Sequence, residues 1–261
     1  MDVAASFAEY PLTGAFLAGR LRDGVSPASL AQLERMLGPV RTLADGERLV
    51  ARGEPVREAS ILIDGFMLLA SFQHGRRFIV GVHVPGDFLD LHGFVLKRLD
   101  HDLLAVGPAR IASVSHDRLR EATEQHPDLA RALWFATLLD SAIHRQWICN
   151  LEALEAPQRI AHLYAELRHR LRQTGRGQGR ALRTPFTQAH LADMCGVSAI
   201  HANRAVARLR EMGLGEIRRG DLYIGDWAAL EAYARFDPGY LYGSEACPYQ
   251  EHSLVRASSR A

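Results

Sequence analysis

The side chains best placed to do chemistry lie between Phe186 and Ile224 of this 261-residue chain. Thr187 stands where it can cap a short helix completed by Leu191-Ala192-Asp193-Met194. Cys195-Gly196-Val197 then turns, and Ser198 can cap a second helix that runs through Leu209. Ala192 is small where two helices would cross, and Gly196 permits the positive φ of a tight turn. Val197, Ala202 and Leu209 supply the contact between the helices. The opposite face of the second helix carries Ala199, Ile200, Asn203, Arg204 and Arg208. The chemistry on offer there is hydrogen bonding to base edges in the major groove. A guanidinium such as Arg204 can hold a guanine with two bonds, and Asn203 can reach an adenine or a phosphate. Ser198, His201 and Arg208 are candidate phosphate contacts that set the register. Residues 214–224 read as two short strands around Arg219-Gly220-Asp221, a wing whose tip presents Arg218 and Arg219 to a phosphate backbone.

Other reactive residue types point to less. Cys149, Cys195 and Cys247 are far apart and share no C-x-x-C spacing, which disfavours a disulfide framework, a zinc site or an iron–sulfur cluster. Cys149 and Cys195 read first as small apolar residues and second as redox switches. His74, His83, His92 and His101 recur every nine residues without a short ligand spacing, so no metal site is expected, and haem or another small effector is left open. A metal-dependent cupin-type enzyme is the alternative reading. It would need an H-x-H pair with a nearby carboxylate, whereas Gly81–Asp87 supplies His83 alone. No nucleophile–base arrangement stands out, and the chain is expected not to be an enzyme.

Charge separates the chain into unlike parts. The formal net charge is +1, yet residues 1–155 carry −4 and residues 156–235 carry +6. Phosphates attract such a basic module without help from the rest, so double-stranded DNA is the expected partner. No apolar run is long enough to span a membrane and the N-terminus lacks the pattern of a signal peptide, so a cytoplasmic location is expected.

The elements that must carry these residues follow from periodicity. After a mobile-looking start, Ser26-Pro27 with Leu30, Leu33 and Leu37 predicts a capped helix. From Val40 to about Val114 the period is near two. Strands are expected around residues 66–72 and 78–84, with turns at Asp45-Gly46, Arg52-Gly53, Asp64-Gly65, His74-Gly75 and Pro85-Gly86, which suits a small β-barrel or sandwich. Residues 117–154 turn helical. Leu133, Ala136, Asp140, Ile143, Trp147, Asn150 and Leu154 keep a three-four spacing, as in a seam against a second copy; the same stripe could instead pack on the barrel of its own chain. Ala156–Leu171 forms a further amphipathic helix, Thr174–Arg180 an exposed cationic loop, and Trp227 opens a helix over the wing. The expected organisation is a sensor domain over 1–117, a dimerisation helix over 118–155, a DNA-binding domain over 156–242 and a tail over 243–261.

This order of parts resembles the Crp/Fnr superfamily of bacterial transcription regulators over nearly all of residues 26–242. Asp45-Gly46-Glu47-Arg48-Leu49-Val50-Ala51-Arg52-Gly53-Glu54 is similar to the opening of the family's cyclic-nucleotide-binding-type roll, and Val84-Pro85-Gly86-Asp87-Phe88-Leu89 to its glycine–acid turn. Leu209–Leu214 and Phe236–Leu241 resemble the approach to the wing and a C-terminal signature. The resemblance implies an α+β fold: an N-terminal double-stranded β-roll of cupin-like jelly-roll type, a long dimerisation helix and a C-terminal winged helix-turn-helix. It further implies a homodimer on a palindromic promoter site, gated by an effector, with RNA polymerase as a partner if the protein is an activator. The family's base-reading positions fall on Ala199, Ile200, Asn203 and Arg204, with Ile200 where a glutamate is common; an apolar side chain can touch a thymine methyl but cannot accept a hydrogen bond from cytosine. The implied effector pocket takes in Gly86, Asp87, Phe88, Leu89, Arg98, Asp100 and His101. Asp100 and Asp102 stand where a phosphate would be repelled, which disfavours cyclic AMP. The absence of any cysteine before Cys149 disfavours the family's iron–sulfur cluster.

Overall fold

The structure is a computed structural model that describes residues 3–243; Cys247 and the rest of the expected tail lie outside the described residues. It opens with α1 (Val3–Glu9) and a coil that leads through a 3₁₀ turn, Arg22–Gly24, into α2 (Pro27–Met36). This start is not the mobile segment its irregular pattern predicts. Tyr10, Phe16, Leu17 and Val25 are buried, and the coil is pinned by two polar clamps. Arg22 donates to the carbonyls of Thr13 (2.7 Å) and Phe16 (3.1 Å), while the Glu34 carboxylate accepts from the Leu12 and Thr13 N–H groups at 2.8 Å. Ser26 caps α2 as expected, its hydroxyl accepting from the Ser29 N–H.

Next come β1 (Arg41–Leu43), β2 (Arg48–Val50), β3 (Glu58–Gln73), β4 (Arg76–His83), α3 (Leu91–Leu96) and β5 (Asp102–Ser115). They form a five-stranded antiparallel sheet ordered β1-β5-β3-β4, with β2 also on β5. His74-Gly75 joins β3 to β4, as alternation predicts. Asp64-Gly65 is not a turn: it is an irregularity inside β3, where the register against β5 shifts between Leu62 and Phe66 and the long strand bends without ending.

The helical stretch is broken at His126-Pro127 into α4 (His116–Gln125) and the 27-residue α5 (Pro127–Ala153), because proline cannot continue the α4 hydrogen-bond ladder. α6 (Ala156–Gln173) follows, then β6 (Ala181–Leu182), α7 (Gln188–Cys195), α8 (Ala199–Glu211), β7 (Glu216–Arg218), β8 (Asp221–Tyr223) and α9 (Trp227–Tyr233). A closing 3₁₀ turn at Pro238–Leu241 seats Leu241 on Leu139 and Ile143 of α5.

The two halves share a core. Phe66, Leu68, Ile79 and Val82 of the sheet form one apolar cluster with Tyr164, Leu167, Phe186 and Met194. The Thr174–Arg180 loop is drawn into this junction at its start, where Thr174 is buried and the Arg176 guanidinium donates to the Ile63 carbonyl at 3.2 Å, while Gln178, Gly179 and Arg180 are exposed as expected. No helix among the described residues is long and apolar enough to cross a membrane.

Candidate nucleic-acid interface

The helix-turn-helix is built from local capping chemistry. Thr187 and His190 form a reciprocal capping box at the start of α7. Gly196 ends α7 at φ +64°, a left-handed conformation that a side chain would strain. The Ser198 hydroxyl accepts from the His201 N–H and starts α8. Ala202, Ala205 and Leu209 are buried beneath α8, with Ala192 buried on the crossing helix, so the opposite face is left to solvent. That face carries every residue the sequence assigned to it. Ser198, Ala199, Ile200, His201, Asn203, Arg204 and Arg208 are all exposed, and Ile200, at 67 %, is among the most exposed large apolar side chains.

Their availability differs. Arg208 lies 3.6 Å from Glu211, whereas Arg204 and Asn203 show no ion pair or hydrogen bond from their side chains among the described residues. The wing is a three-stranded sheet ordered β6-β8-β7; the strand from β6 was not visible in a two-residue stretch of sequence. Arg218 folds back onto Glu216 at 2.6 Å and over the Tyr223 ring, while Arg219 sits at the exposed tip with φ +52°. A buried support also went unseen in the sequence: the Tyr164 hydroxyl and the Thr184 hydroxyl both donate to the Gly220 carbonyl at 2.7 Å and hold the wing tip from below.

The expected seam residues of α5 lie on its inward face. Leu133, Ile143, Asn150 and Leu154 are buried, and Ala136, Asp140 and Trp147 are partly buried, all within the same chain. The reason is that periodicity marks the most buried face of a helix, and here that face covers the protein's own core. Trp147 donates to Glu166 at 3.0 Å and Asn150 meets His162 at 3.1 Å, which accounts for Asn150 in the stripe, while Asp140 borders a cavity. The outward face instead exposes Trp134, Leu138, Ile148 and Leu151. Trp134, Leu138, Ser141, Arg145 and Ile148 keep a four-three-four-three spacing, a signal the stronger inward stripe masked.

The expected effector residues are divided between two places. Phe88 and Leu89 are buried in separate apolar clusters. Gly86 turns at φ +99° directly against the Ala15 backbone, so the N-terminal coil covers it. Asp87 accepts from Arg170 of α6 and from the Val84 N–H; burial raises its carboxyl, but Arg170 and His83 more than offset this and hold it well below the usual carboxylate range. Arg98, Asp100 and His101 instead border a cavity of about 640 Å³ between β4, the end of α3, α5 and α7. Its wall is largely apolar, including Ile79, Val80, Ile148 and Met194. His92 and His101 meet there with ring centroids 5.3 Å apart, and burial pushes both below the ordinary imidazole value, which favours their neutral forms. Arg98 spends a guanidinium N–H on the Gly53 carbonyl at 2.6 Å. Among the described residues no three His, Cys, Asp or Glu side chains are grouped to hold a metal ion. Cys195 is buried, which pushes its thiol up to about 12 and keeps it protonated; Cys149 is exposed.

A strand-built N-terminal half packed by a long helix onto a winged helix-turn-helix, whose second helix offers unpaired Arg204 and Asn203 to solvent, defines a DNA-binding transcriptional regulator. Comparison with known proteins agrees. Residues 158–233 match the Crp-like helix-turn-helix domain and residues 40–126 the cyclic nucleotide-binding domain. The transcriptional activator protein anr of Pseudomonas aeruginosa is 24 % identical over 203 residues, covering 77 % of this chain and 83 % of its own. The nitrogen fixation regulation protein FixK of Bradyrhizobium diazoefficiens is 24 % identical over 213 residues, covering 81 % and 88 %. Among solved structures, FixK2 from Bradyrhizobium japonicum superposes with a TM-score of 0.68 at 19 % identity, covering 75 % of this chain and 96 % of that one. The chain belongs to the Crp/Fnr superfamily of transcriptional regulators, and the cupin-type enzyme reading is set aside.

Proposed function

We propose that the protein acts as a homodimer that reads a two-fold symmetric DNA site, one α8 per half-site, and that a small molecule in the 640 Å³ cavity sets the angle between the reading heads. The observation that carries the DNA half is the uncommitted surface of α8, where Arg204 and Asn203 have donors to spend and Ile200 offers an apolar surface to a thymine methyl. The outward stripe of α5 supports the dimer: Trp134, Leu138 and Ile148 along one exposed helix face match the kind of surface a second copy covers. The effector we infer is mainly apolar and is not cyclic AMP. Asp100 and Asp140 line the cavity, Asp193 there is paired with Arg77, and Arg98 is the one lining arginine among the described residues, its fork partly spent on the Gly53 carbonyl, so a phosphate would meet more negative than positive charge. Relatives named as transcriptional activators support activation through contact with RNA polymerase, and with it a cytoplasmic site of action.

Sedimentation velocity tests the dimer. Wild type is expected to sediment as a dimer at micromolar concentration, and Leu138→Glu as a folded monomer. A monomeric wild type, or a Leu138→Glu variant that stays dimeric, contradicts the assigned face.

A further inference from the structure

Two helix C-termini meet behind the recognition helix, and a single guanidinium serves both. α5 ends with Leu154 as its cap and α7 ends at Cys195, so each end presents carbonyl oxygens that carry the partial negative charge of a helix terminus. Arg159, one turn into α6, donates from Nε to the Leu154 carbonyl at 2.9 Å and from Nη1 to the Cys195 carbonyl at 2.7 Å. The same joint is closed sterically. A Cβ placed on Gly196 would come within 3.0 Å of the Leu151 methyl group on α5, so the long helix rests directly on the turn of the helix-turn-helix.

We propose that Arg159 is a positioning residue for DNA reading: its planar fork fixes the tilt of α8 relative to α5, and thereby the spacing of the two reading heads. This rests on the reading of the protein as a dimer on a symmetric site. A guanidinium can satisfy both carbonyls only at one mutual orientation, whereas a lysine ammonium is a point charge that imposes none. The lever is long enough to matter. Arg204 lies five residues past the start of α8, about 8 Å at the helical rise, so a tilt of about 10° about that start moves it by about 1.3 Å and the two heads of a dimer together by about 2.6 Å, approaching the rise of one base pair. Arg77 of β4 also grips α7, but through the Asp193 side chain at 2.8 Å, which ties the helix to the sheet and leaves the turn carbonyl to Arg159.

The test uses full-length wild type, Arg159→Lys and Arg159→Gln. The probe is the inverted-repeat duplex that wild type selects from random sequence, together with versions whose spacer is one or two base pairs longer or shorter. Fluorescence anisotropy should show wild-type affinity falling at least tenfold for a one-base-pair change. Both variants should lose that optimum, varying threefold or less across spacers, while affinity for a single half-site stays within twofold of wild type. Variant profiles that superimpose on wild type overturn the proposal. So does an equal loss on every duplex including the half-site, which marks lost folded protein in place of lost positioning. A wild type with no spacer optimum overturns the dimeric reading itself, and is told apart because it appears before any substitution is made.

Discussion

Replacing Arg170 by methionine probes the buried charges that join the two halves of the molecule. The Arg170 side chain is 3 % exposed; it donates to the Val82 carbonyl at 2.9 Å and to Glu166 at 3.3 Å, and bonds Asp87 on the glycine–acid turn. Methionine keeps much of the volume and removes all three bonds. Glu166 would retain the Trp147 and Tyr240 donors, and Asp87 would retain the Val84 N–H and His83. Neither carboxylate is wholly stranded, so the cost falls at the lower end of the range for breaking a buried pair, about 3 kcal/mol. That corresponds to roughly 6–12 °C in Tm for a chain of this size. Acid should narrow the deficit. Asp87 is held below its unfolded value, so its stabilising contribution is present above about pH 4 and is lost as pH falls towards the depressed native value. The variant lacks the share of that contribution that Arg170 supplies, and the two unfolding curves should converge on acidification. Urea unfolding followed by tryptophan fluorescence, from pH 7 to about pH 2.5, reads both effects. A loss under about 1 kcal/mol, or a deficit that does not change across that range, would refute the assignment of Arg170 as the shared partner of Asp87 and Glu166.

Two further outcomes follow from the DNA-binding half. Arg204→Ala should cost about 1–3 kcal/mol per half-site and relax sequence preference, whereas Arg219→Ala should weaken all duplexes alike and flatten the salt dependence; anisotropy titrations over a salt series separate them, and matching losses would contradict the two roles. Alkylation by iodoacetamide at pH 7.5, mapped by mass spectrometry, should leave Cys195 unmodified in the folded protein, since burial keeps its thiol protonated, and should reach it only on unfolding. Rapid native-state labelling of Cys195 would show that the turn opens.

What was legible in the sequence is what short-range physics writes there. Thr187, Gly196 and Ser198 mark helix ends through caps and a left-handed turn, so the helix-turn-helix and the exposed side chains of α8 stand where their spacing puts them. The His74-Gly75 hairpin is equally local. Long-range pairing leaves no such trace. Asp87 and Arg170 are 83 positions apart, and nothing in either neighbourhood says that the glycine–acid turn is tied to α6. The α5 stripe shows a second limit. Apolar spacing identifies a buried face without saying what buries it, and the inward stripe from Leu133 to Leu154 masked the outward one through Trp134, Leu138 and Ile148. The ordered N-terminal coil was missed because its clamps, Arg22 and Glu34, act on backbone groups that no periodicity reveals.

The central claim is that α8 enters the major groove as one of two matched reading heads. Selection of bound duplexes from a random-sequence pool, followed by hydroxyl-radical footprinting of the winners, tests it most directly. The account predicts an inverted repeat whose half-sites are centred about 10–10.5 base pairs apart, or a multiple of that, with protection on one face of the duplex and loss of selection in Arg204→Ala. Recovery of unrelated sequences with no repeat, or a selected motif that Arg204→Ala leaves intact, would contradict it.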